Sequence, residues 1–139
     1  MKQILRYFMA IFFGILIGSI ANMLIVSAST IIIPLPEGAD NSSVKSLEKT
    51  IHLFEFKHFL MPLFAHALGS LIGGNVAAWI APNNKLLMAL TIGFFFLVGG
   101  IVMVFQLPSP MWFNTIDLTL AYLPMSWIGY VTYVKIKRK

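Results

Sequence analysis

Between residues 7 and 33 the chain carries no charged side chain, and Pro34 and Pro36 follow at once. About 20 mostly apolar residues suffice to cross a bilayer as a helix, so this stretch reads as a membrane span. Lys2 and Arg6 in front of an apolar run also open a secretory leader, but the h-region of a leader is only about 7–15 residues long. The longer run is expected to be a retained helix.

Three further runs of the same character follow, at 56–80, 86–107 and 110–134. Ala81-Pro82-Asn83-Asn84 separates the second from the third. Pro108 ends the third, and Ser109 with Pro110 reads as the cap and first position of the fourth. The expected fold is all-α: a four-helix transmembrane bundle forming one membrane domain over 1–139, with an outer loop at 34–55. Composition agrees, since 58% of the chain is hydrophobic and only 11% charged, whereas soluble domains carry about 25% charge. Too little polar surface is available to cover a water-facing core.

Charge placement sets the expected orientation. With four spans, both termini and the 81–85 turn share one side, which holds Lys2, Arg6, Lys85, Lys135, Lys137, Arg138 and Lys139 and no acid. The other side holds Glu37, Asp40, Glu48, Glu55 and Asp117 together with Lys45, Lys49 and Lys57. Basic residues resist translocation, so the basic side is expected to be cytoplasmic. The bases sit at chain ends and loops without interleaved aromatics, which excludes a nucleic-acid surface. Cysteine is absent, excluding disulfides, thiol nucleophiles and cysteine-ligated metals. No cofactor is expected, because no phosphate-binding glycine loop or cofactor motif is present.

In the outer loop, Asn41 or Ser42 is expected to cap a short amphipathic helix with Val44, Leu47, Ile51 and Phe54 on one face. The first two spans carry matching small-residue stripes: Ala10, Gly14, Gly18 and Asn22 in one, Ala65, Gly69, Gly73 and Ala77 in the other. Residues four apart share a helical face, and small ones let backbones approach closely in lipid. The two spans are expected to meet along these stripes; the same faces would otherwise serve a homodimer.

Polar groups at membrane depth are costly and mark candidate sites. Counted from the outer ends of the spans, Asn22, His66 and Asp117 fall at similar depth. Gln106 and Asn114 lie nearer the outer interface, and Asn75 lies deeper. Such a layer could bind a cation, relay a proton or act as acid and base; otherwise it hydrogen-bonds the bundle together. His52, Glu55 and His58 form a His-x-x-Glu-x-x-His pattern, a weak candidate for metal. Zinc-binding helices place two histidines four apart, and Lys57 would repel a cation.

Three stretches carry a resemblance: Ile-Pro-Leu-Pro-Glu-Gly-Ala-Asp at 33–40, His-Phe-Leu-Met-Pro-Leu-Phe-Ala-His-Ala-Leu-Gly-Ser at 58–70 and Leu-Pro-Ser-Pro-Met-Trp-Phe at 107–113. Over most of its length the chain resembles a group of small bacterial four-helix membrane proteins. That resemblance implies the architecture and a bacterial cytoplasmic membrane, and it brings no chemistry. Length and helix number are also similar to those of small multidrug transporters, but their essential first-span glutamate has no counterpart at 7–33.

The leading expectation is therefore a non-enzymatic accessory or structural subunit, partnered by the bilayer and by a second copy or another membrane protein. A small transporter or channel-like protein built on the His66/Asp117 layer is the alternative, and a membrane-embedded enzyme the third.

Overall fold

Prolines set most of the helix boundaries in the computed structural model, which describes residues 2–138. α1 (Lys2–Ile32) stops just before Pro34 and Pro36. α2 (Val44–Thr50) and a 3-10 turn at Ile51–Leu53 occupy the loop. α3 (Phe56–Ile80) contains Pro62 and stops before Pro82. Asn84, in the left-handed region at φ 47°, turns the chain into α4 (Lys85–Gln106); asparagine is among the few residues that enter this region readily. The last segment comprises α5 (Met111–Ile116), a π turn at Asp117–Ala121 and α6 (Leu123–Lys137). Among the described residues all regular structure is helical.

α1, α3 and α4 are long and apolar enough to cross a membrane. The fourth segment, expected as one helix over 110–134, is divided instead. Pro124 has no N–H to donate to the carbonyl four residues back, and the turn before it widens to π geometry. Pro110, rather than Ser109, occupies the cap position of α5. In the 34–55 loop the cap is Ser43, one or two residues past the expected position; its Oγ accepts from the Ser46 N–H at 3.1 Å. Leu47, Ile51 and Phe54 do pack together with Phe59 and Phe113, whereas Val44 faces outward.

α3 lies at the centre, packed on α1, α4 and α6. From Ala65 onward its buried face is made of small side chains: Ala65, Ser70, Ala77 and Ala78 are fully buried, as are Ala10 of α1 and Ala89 of α4. Large apolar side chains point outward, with Phe8, Phe12 and Phe105 at 69%, 62% and 86% exposure. This distribution is the reverse of a water-soluble core, where large apolar groups supply the burial. It suits a bundle surrounded by hydrocarbon, in which close backbone packing holds the helices together.

The two glycine stripes interlock. A Cβ on Gly18 would stand 2.7 Å from the Gly69 carbonyl oxygen, and one on Gly73 would stand 2.6 Å from that of Gly14. These faces are therefore occupied within one chain and not free for a second copy. A further close interface joins α3 and α4 to α6. There a Cβ on Gly74 would stand 2.8 Å from the Ser126 carbonyl oxygen, one on Gly93 would meet the Ser126 side chain, and one on Gly129 the Leu71 carbonyl. Asn75 fastens the same seam by donating to the Gly129 carbonyl and to Thr132 Oγ1, each at 2.9 Å.

At the end of the bundle holding both termini, Lys85 Nζ donates to the Ala78 and Ala81 carbonyls at 2.8 and 2.6 Å. Arg6 donates to the Ile80 carbonyl at 3.1 Å. Both bases thus satisfy the open carbonyls at the C-terminus of α3 and sit at its negative dipole end.

Candidate functional site

His66 leaves α3 toward the π turn, and there it meets Asp117. Its Nδ1 lies 2.7 Å from Asp117 Oδ1, and the Tyr122 hydroxyl donates to Asp117 Oδ2 at 2.6 Å. The same hydroxyl lies 3.1 Å from His66 Nδ1, and the two rings stack with centroids 5.6 Å apart. A carboxylate can only accept, so Asp117 fixes the hydrogen on Nδ1 of the imidazole. That leaves Nε2 with its lone pair in the neutral ring. Nε2 makes no hydrogen bond among the described residues.

Backbone geometry makes this meeting possible. In an α-helix, residues five apart point about 140° away from each other, at ~100° per residue. In π geometry, with its i→i+5 bonds, they stack on one face. Asp117 opens the π turn and Tyr122 follows it, so both reach His66. Gly100 of α4 makes room, since a Cβ there would stand 2.5 Å from the Tyr122 oxygen. Asp117 and Tyr122 are buried, whereas the His66 side chain keeps 27% of its surface exposed.

That exposure is toward two cavities. One, of about 490 Å3, lies between α1, α3 and α4 and is lined by Asn22, His66, Ser70, Phe96 and Tyr122 among others. The second, of about 230 Å3, lies under the 34–55 loop, with Ile51, Phe54, Phe113, Asn114 and Asp117 in its walls. His66, Gly100 and Met103 border both. An imidazole held by a carboxylate between two cavities can pass a proton or hydrogen-bond a ligand through Nε2.

The other expected polar residues are distributed as follows. Asn22 shares the larger cavity with His66, and its Oδ1 is buried without a partner. Gln106 is exposed at the end of α4 and stands apart from the cluster. Asn114 borders the smaller cavity and donates to the Ser109 carbonyl at 3.3 Å.

The 52–58 pattern does not converge. His58 Nδ1 accepts from the Glu55 N–H at 2.9 Å, and its Nε2 lies 3.2 Å from the Pro34 carbonyl oxygen, to which it donates. Glu55 pairs with Lys57 at 3.0 Å. Both ring nitrogens of His58 are thus engaged by backbone. Among the described residues no group of three His, Cys, Asp or Glu side chains is placed to hold a metal ion.

Sequence reasoning missed Tyr122 and Ser70. Helical periodicity turns Tyr122 away from Asp117, and only Pro124 downstream hints at a disturbed helix. Ser70 sits one position past Gly69 and carries no distinguishing pattern, yet its fully buried hydroxyl has no partner among the described residues. Comparison with models of protein families, with curated proteins and with solved structures gives no match.

Proposed function

We propose that this chain is a four-span protein of a bacterial cytoplasmic membrane with both termini inside, and that it works as a small transporter or channel-like protein through His66, Asp117 and Tyr122. The orientation is supported by the seven bases on the side of the termini and the turn after α3, against three on the other. One observation carries the function: His66 is held by Asp117 at 2.7 Å, its Nε2 is free, and a cavity lies on either side. A group that served only to clasp two helices would need no access to a cavity. Protonation at Nε2 would give an imidazolium neutralised by Asp117, so a proton could be held at membrane depth without an isolated charge.

Reconstituted vesicles enclosing a pH-sensitive dye test this reading. An imposed pH gradient should collapse faster with the protein than without it. The acceleration should vanish in both His66→Ala and Asp117→Asn, provided their helical circular dichroism is retained. Acceleration unchanged in folded variants would overturn the reading in favour of an accessory subunit. Orientation is tested separately in this cysteine-free chain. Lys45→Cys should react with an impermeant thiol reagent in intact cells, and Ile136→Cys only after permeabilisation.

A further inference from the structure

Among the described residues two buried side-chain atoms lack hydrogen-bond partners, Ser70 Oγ and Asn22 Oδ1, and both residues line the larger cavity. Ser70 has no exposed surface at all. Buried polar atoms are nearly always paired, so two orphans at one cavity point to a missing group. His66 lines the same cavity, and its imidazole adds a third polar group. In the tautomer fixed by Asp117, Nε2 accepts; Asn22 Oδ1 accepts; the Ser70 hydroxyl can do either.

The missing group therefore has to donate. A ketone or ester carbonyl would satisfy Ser70 and leave both acceptors unmet, whereas a hydroxyl accepts from Ser70 and donates its one hydrogen to one of them. An ammonium group would call for a carboxylate, but Asp117 is engaged by His66 and Tyr122 and borders the other cavity. The remaining walls, including Phe95, Phe96 and Val102, are apolar. Phe95, Gly99 and Val102 are also exposed on the outside of the bundle, so the cavity opens sideways, where hydrocarbon would surround the spans.

We propose that this cavity binds an uncharged, membrane-soluble molecule with a hydroxyl head and a hydrocarbon body. The hydroxyl accepts from Ser70 and donates to Asn22 Oδ1 or His66 Nε2, and the body lies along the phenylalanines toward the lipid. A cavity of about 490 Å3 falls within the usual ~300–1,000 Å3 of small-molecule sites. The inference deepens the proposed function and shares His66 with it.

The test uses the full chain in nanodiscs with 13C-labelled methionine methyl groups. Met103, which borders the cavity, reports binding, and Met9 on the outer face of α1 is the control. The probes are 4-decylphenol and 1-dodecanol, each compared with its hydroxyl-free counterpart, decylbenzene or dodecane. A hydroxyl-bearing probe should shift Met103 saturably at about one tenth of the mole fraction its counterpart needs. Preference for the phenol would assign a ring, and preference for dodecanol an aliphatic alcohol; either supports the inference.

Ser70→Ala and Asn22→Ala should each narrow the tenfold gap. Gly99→Leu, placed where an added Cβ meets nothing within 4 Å, should block saturation by every probe while Met9 stays unchanged. Equal binding of probes and counterparts, or a gap unaffected by Ser70→Ala and Asn22→Ala, would overturn the inference. Loss of hydroxyl preference with proton flux intact would count against this inference alone. Absence of flux with hydroxyl preference intact would count against the transport reading alone.

Discussion

The phenol of Tyr122 donates to Asp117 Oδ2 at 2.6 Å, between residues five apart on one helical segment that α geometry would turn away from each other. The intervening π turn is what allows it, and the pair together fixes the tautomer of a histidine 51 residues earlier.

Removing the shared acceptor should cost more than removing one donor. Asp117→Ala removes the acceptor of both the His66 Nδ1–H and the Tyr122 hydroxyl and leaves them only the 3.1 Å contact with each other, at a cost of about 2–4 kcal/mol. Tyr122→Phe removes a single bond and should cost about 0.5–1.5 kcal/mol. Denaturant unfolding in mixed micelles, followed by circular dichroism, gives both values. Equal losses would mean that Asp117 does not join the two donors.

Glycines differ sharply in what they tolerate. Gly18→Ala puts a Cβ 2.7 Å from the Gly69 carbonyl oxygen, so α1 and α3 must separate, at about 1–3 kcal/mol. Gly99→Ala meets nothing within 4 Å and should be neutral or stabilising, by up to about 1 kcal/mol from helix propensity. The same unfolding measurement ranks them, and similar losses at the two sites would contradict the interlocked stripes.

The histidines of the 52–58 pattern should behave as structure rather than as ligands. His58→Ala leaves the Glu55 N–H and the Pro34 carbonyl without their partner and should cost about 1–2 kcal/mol. His52 is exposed, so His52→Ala should stay within about 0.5 kcal/mol. Added zinc should leave the unfolding midpoint of the wild-type protein unmoved; a saturable rise, lost in both variants, would restore the metal reading.

Acid should loosen the start of α3. The hydrogen bond and charge of Lys57 hold the Glu55 carboxyl below its ordinary value. A group lowered in the folded state adds stability above its unfolded pKa, and that contribution is lost as pH falls through the folded value. Amide exchange in the first turn of α3, corrected for intrinsic rate, should therefore speed up below about pH 4. Glu55→Gln should flatten that dependence, and a wild-type pH profile in the variant would refute the role.

Much of this architecture was legible because it is local or periodic. The proline pairs at 34/36 and 108/110 and the Ala81-Pro82 turn mark breaks that any surroundings would enforce. The Gly14/Gly18 and Gly69/Gly73 spacings describe faces before any partner is known. The cap at Ser43 was missed by one or two positions, because several adjacent polar residues can each accept from a helix N-terminus and the loop's packing chooses among them.

By itself, then, the sequence determined an all-α chain with apolar helices of membrane length, the small-residue faces on which α1 and α3 pack, and the common level of His66 and Asp117 along their helices. Those properties depend on residue type and on a fixed rise per residue. Only the tertiary structure decided that His66 meets Asp117, that Tyr122 joins them, and that Ser70 and Asn22 face a cavity without partners. The physical reason is that the π turn before Pro124 changes the helical phase of everything after it. Side-chain convergence between α3 and that segment depends on this phase, which no periodicity counted along an α-helix contains.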